Sequence, residues 1–136
     1  MSDEYGVKKH IEKSYVLDFV IENKEDAVRF VVDNFHDLDR EVFFTIQLDE
    51  DHKPINFSIQ HMGSVDRSVI SPKEIFKTAL VSNCSGIILM HNHPGGTLNF
   101  SEPDIEVTKV LSQGARVLGL EVLDHYILLH KKTVSL

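Results

Sequence analysis

Apolar residues along this chain alternate between two spacings, and the changes of spacing mark its elements. Ser14 to Glu22, SYVLDFVIE, mixes β-branched and aromatic residues in partial alternation, which predicts a strand. From Asn23 onward Ala27, Val28, Val31, Val32, Phe35 and Leu38 fall three or four apart, the spacing of a helix face, with Asn23 placed to cap its start. Glu41 to Asp49 (EVFFTIQLD) and Ile55 to Met62 (INFSIQHM) read as strands, and the polar run from Asp49 to Pro54 reads as the turn of an antiparallel hairpin.

Ser71-Pro72-Lys73-Glu74 combines a serine N-cap, a proline at the first helical position and a glutamate three residues after the cap, so a helix begins there. Ile75, Phe76, Ala79 and Leu80 form its expected buried stripe. In Gly86 to His93 the four consecutive apolar residues Ile87 to Met90 suit a central strand covered on both faces. A loop from Pro94 to Phe100 leads to a helix from Glu102 to Leu118, with Ile105, Val107, Val110, Leu111 and Leu118 expected inside and Gly119 as its stop. Glu121 to Leu129 is a further strand, and Thr133 to Leu136 a short return. No repeat or linker interrupts the pattern, so residues 1–136 read as one α/β domain, a mixed sheet flanked by helices.

At 136 residues the chain is long enough to bury a core without a metal or disulfide staple. A metal, if bound, is therefore not needed to hold the fold. The net charge of -7 disfavours an extended phosphate-binding face, so the isolated chain is not expected to bind nucleic acid. The only adjacent basic pairs are Lys8-Lys9 and Lys131-Lys132. The lone Cys84 cannot close an intramolecular disulfide, and MSDEYGVKKHIEK lacks the apolar core of a signal peptide. No apolar run approaches the roughly 20 residues of a membrane span. These features predict a soluble cytoplasmic protein without a membrane partner, and they fix no oligomeric state.

Chemistry concentrates between His91 and Asp104. In an extended backbone His91 and His93 point to the same side of a sheet, so their imidazoles can converge on one cation. Pro94 and Gly95-Gly96 break the strand and let the chain double back, which makes Asp104, near the start of the next helix, a candidate third ligand. Two histidines and an aspartate with one open position is the pattern of a catalytic zinc site, where bound water has its pKa lowered to about 7. Simpler readings exist for each part. Strand-end histidines are common at surfaces, Ser101 and Asp104 suit an N-cap and its capping box, and glycines after proline mark any tight loop. Those readings leave unexplained why the parts occur together, after an apolar strand whose C-terminal end is where α/β sheets place their sites.

The order His-x-His-Pro, six residues, Ser, two residues, Asp resembles the JAMM motif, also called JAB or MPN-plus, without a spacing change. HNHPGG is similar to the RadC branch, as are SPKEIFKTALVSNCSGIILMHNHPGG and VTKVLSQGARVLGLEVLDHYIL, so the resemblance spans roughly Glu41 to Leu129. It implies a three-layer, cytidine-deaminase-like fold and a zinc ion held by His91, His93 and Asp104. It further implies that Ser101 helps to stabilise the oxyanion and that an upstream glutamate acts as general base. Glu41 is the best match for that base, with Glu50 a near alternative. The implied activity is cleavage of peptide or isopeptide bonds in a protein or peptide substrate. Full-length RadC proteins also carry an N-terminal helical region of DNA-binding type, whose pattern the residues before Glu41 lack. Short proteins of this form often accompany mobile elements and phages.

Two rival readings use the same residues. One is a non-catalytic MPN-type scaffold, and the other is a RadC-like factor in DNA repair or recombination. Elsewhere His10, His36, His52, His61 and His130 are isolated and read as exposed or hydrogen-bonded. Asp124-His125 reads as a strand pair that supports the fold or backs the metal ligands. Cys84 reads as a small apolar residue.

Overall fold

The computed structural model describes residues 22–63, 70–94 and 96–136. The strand expected over Ser14 to Glu22 lies outside them except for Glu22, as do Lys8, Lys9 and His10. The described elements run α1 (Lys24–Phe35), β1 (Val42–Leu48), β2 (Pro54–Met62), α2 (Pro72–Val81), β3 (Gly86–Asn92), α3 (Glu102–Val117), β4 (Glu121–Leu129) and β5 (Lys132–Ser135). The start signals act as read. The Asn23 side chain accepts from the Asp26 N–H, and Ser71 Oγ accepts from the Glu74 N–H. Gly119, with φ of 74°, ends α3 in a conformation that costs glycine little.

The five strands form one sheet in the order β2-β1-β3-β4-β5. Only β3 and β4 run parallel, and α3 supplies the crossover between them. Every residue of β3 is buried, as the apolar run Ile87 to Met90 predicts.

Strand alternation divides the core in two. On one face Phe44, Ile46, Leu48, Ile88 and Met90 pack under Phe30, Val31 and Phe35 of α1. On the other Phe43, Ile87 and Leu89 pack under Ile75 and Ala79 of α2 and Val107, Leu111 and Ala115 of α3. The result is three layers, helix, sheet, helices. Each fully buried Phe or Ile contributes about 1.5–3 kcal/mol, so both faces are strongly held. Gly114 lets α2 and α3 approach, because a Cβ there would stand 2.7 Å from the Phe76 ring.

Three expected core residues are instead exposed: Leu80 at 54%, Ile105 at 47% and Leu118 at 44%. The inward residues of α2 are Ile75 and Ala79, and those of α3 are Asp104, Val107, Leu111 and Ala115. That line passes by Ile105, and Leu118 lies past the last helical residue as the C-cap of α3. A reading based on apolarity alone could not place an aspartate on the buried line.

Candidate metal centre

The site forms where β3 ends. His91 is fully buried on the helix-covered face, stacked on the Phe43 ring beneath it. His93 follows just past the strand and is partly buried, its backbone N–H donating to the Leu128 carbonyl at 3.0 Å. The two Nε2 atoms lie 2.8 Å apart, so the imidazoles converge as their spacing predicts. The loop beyond Pro94 returns the chain, and α3 brings Asp104 against them. Asp104 Oδ1 is 3.1 Å from His91 Nε2, and Oδ2 is 3.4 Å from His93 Nε2.

Asp104 is also the capping-box residue of α3. Its Oδ2 accepts from the Ser101 N–H at 2.8 Å while Ser101 Oγ accepts from the Asp104 N–H at 3.2 Å. Helix capping and cation binding are thus compatible, because Oδ1 faces His91 while Oδ2 closes the turn. Ligand atoms of His91, His93 and Asp104 all lie within 4.8 Å of one another, and this group could hold a metal ion. Two imidazole nitrogens and one carboxylate oxygen suit zinc or a similar borderline cation.

Burial by itself would raise the pKa of Asp104. The His91 hydrogen bond, the Ser101 backbone N–H and the charge on His91 outweigh it and hold the carboxyl well below its ordinary range. The group is therefore ionised, as a ligand must be.

Glu41 sits directly before β1, at the same end of the sheet as the imidazoles. Phe43 pairs with His91, and continuing that register by two places aligns Glu41 with His93 on the same face. Glu50 lies in the turn at the opposite end of β1, which removes it as an alternative near this site. Asn92, between the two histidines, was not singled out by the sequence reading. Its Oδ1 accepts from the Val42 N–H at 2.6 Å and its Nδ2 donates to the Arg40 carbonyl at 2.8 Å, gripping the backbone on both sides of Glu41. The Glu41 carbonyl itself accepts from the Gly63 N–H at 2.7 Å.

His125 stands behind the site, 99% buried, with its Nε2 2.8 Å from His91 Nδ1. Its Nδ1 meets Thr108 Oγ1, and Phe100 closes edge-on over its ring. The Asp124-His125 pair is the sequence signal for this residue; Thr108, one turn beyond Asp104, gave none. Burial, and then the charge of His91, push the His125 pKa down to about 3.

That shift carries a pH dependence. Below its ordinary value near 6.5 the unfolded chain takes up a proton at His125 that the folded chain refuses until about pH 3. Stability of the metal-free protein is therefore expected to fall on acidification, by about 1 kcal/mol per pH unit for this group. Asp104 joins the slope only below about pH 5, where its unfolded carboxyl begins to protonate, so the comparison belongs in the window from pH 6.5 to 5. Thermal melts in chelator should show a shallower slope for His125→Gln; equal slopes would contradict the burial argument.

His36 Nδ1 bonds the Val32 carbonyl, and His52 and His130 occupy left-handed turn positions. Cys84 is buried, and desolvation raises its thiol pKa. Among the described residues no helix is long and apolar enough to cross a membrane.

Comparison with known proteins gives a consistent result. The family model described as RadC-like JAB domain matches residues 21–136. A UPF0758 protein of Geobacillus sp. (strain WCH70) is 37% identical over 123 residues, 90% of this chain and 54% of its own. One from Desulfitobacterium hafniense is 39% identical over 86% of this chain and 52% of its own, and one from Geobacillus thermodenitrificans 35% identical over 98% and 58%. The chain thus spans about half the length of the curated relatives it matches.

Proposed function

Because this chain belongs to the RadC-like JAB domain family, we propose that it is a zinc-dependent hydrolase of amide bonds, peptide or isopeptide. The observation that carries the reading is the convergence of His91, His93 and Asp104, three donors from two elements, on one point. Three protein ligands with an open corner mark catalytic zinc, whereas structural zinc takes four. A zinc ion held by these residues would polarise the substrate carbonyl and make water a nucleophile near neutral pH.

The chain's own groups supply the rest. Glu41, aligned with His93, takes a proton from the attacking water and delivers it to the leaving amine. Ser101 accepts at its Oγ from the Asp104 N–H, which leaves its hydroxyl proton to be donated to the developing oxyanion. Asn92 holds the Glu41 backbone to β3, so base and imidazoles keep their spacing without reorganisation.

The test is Glu41→Gln in zinc-loaded protein, assayed against peptide and isopeptide substrates. Turnover should fall on the order of 10²-fold or more while zinc content is unchanged. Hydrolysis by neither form, with zinc still bound, would favour the scaffold reading. Steeply salt-dependent DNA binding would favour the repair-associated one.

A further inference from the structure

The hydrogen bonds behind His91 form a chain whose direction can be derived from one end. Thr108 Oγ1 lies 3.0 Å from the Asp104 carbonyl, which can only accept. The threonine proton therefore goes to that carbonyl. With its single proton spent, Thr108 Oγ1 must accept from His125 Nδ1, which must carry a hydrogen. A neutral imidazole with Nδ1 protonated has a bare Nε2. That lone pair faces His91 Nδ1 at 2.8 Å, so His91 is the donor. Once Nδ1 of His91 carries the proton, its Nε2 is the nitrogen available to a cation, and Nε2 is the atom beside Asp104 Oδ1.

We propose that His125 and Thr108 are positioning residues for the metal site, fixing His91 in the form whose Nε2 binds the cation. The proposal rests on the metal-site reading above and extends it to residues that touch neither cation nor substrate. His93 is fixed independently, its Nδ1 donating to the Thr97 carbonyl at 2.9 Å. The two imidazoles are thus held by different devices, one by a loop carbonyl and one by a buried side-chain relay. The relay ends on the Asp104 peptide, so it also ties the third donor's helical turn to the first donor's ring.

The experiment pairs disruptive with conservative variants and reads zinc affinity by chelator competition. Thr108→Val and His125→Leu should weaken zinc binding about 10- to 100-fold, the usual cost of losing a partner behind a metal ligand. Thr108→Ser keeps the hydroxyl, and His125→Gln keeps an acceptor for His91, so both should stay within about threefold of wild type. A merely structural role would not follow this split, and thermal melts of the metal-free variants identify any that misfold. Nitrogen-detected NMR of the unsubstituted protein supplies a second readout, expected to show protons on Nδ1 of both His91 and His125 and a bare Nε2 on His125. A proton on His125 Nε2, or unweakened zinc binding by folded Thr108→Val and His125→Leu, overturns the proposal. Should the unsubstituted protein bind no zinc, the hydrolase reading falls, and the NMR assignment still decides the relay.

Discussion

Asp104→Asn is expected to strip the protein of zinc while leaving α3 intact. The asparagine amide oxygen can still accept from the Ser101 N–H, so the capping box survives, but the anionic donor facing His91 is gone. Zinc binding of about 10–16 kcal/mol shared over four ligands assigns about 3 to 4 kcal/mol to each donor, two to three orders of magnitude in affinity. Asp104→Ala would lose the cap as well, confounding ligand loss with helix fraying worth about 1 kcal/mol. Metal content after dialysis against a weak chelator gives the result directly. Retention equal to the unsubstituted protein would remove Asp104 from the ligand set.

The second large effect lies on the far side of the sheet. Phe44→Ala should cost about 3–5 kcal/mol, since Phe44 is fully buried, centrally paired, and packed against the rings of Phe35 at 5.2 Å and Phe57 at 6.2 Å. For a chain of this size that is a fall in Tm of about 10–20 °C. Because Phe44 faces α1 and the site faces α2 and α3, the fraction that stays folded should bind zinc as before. A stability loss under about 1 kcal/mol in denaturant titration would mean that the three rings do not form the packed cluster described.

Legibility in the sequence follows the range of the interaction that fixes each feature. Asn23, Ser71 and Ser101 cap their helices as read, since a cap is decided within four residues. The central position of β3 was equally plain, because both of its faces must be covered and Ile87 to Met90 record that. The pairing of His91 with His93 needed only the two-residue period of a strand. Leu80 and Ile105 are exposed because a helix's inward line depends on what it packs against, and Asp104 occupies that line in α3; Leu118 is exposed as the C-cap beyond it. Asn92 and Thr108 were invisible for a related reason. Asn92 meets Arg40 and Val42 across the sheet, and Thr108 meets His125 between helix and sheet, partners distant in sequence. The hydrophobic pattern therefore located the donors, and long-range polar contacts determined how they are held.

Asp104 gives its two oxygens to different tasks, and this ties local order to occupancy. Unwinding of the opening turn of α3 would carry the carboxylate away, so each opening event there also dismantles the cation's cradle. By reciprocity, a bound ion must suppress that opening. Amide hydrogens at the start of this helix should then exchange with solvent more slowly as the ion is added, reporting its arrival from the backbone.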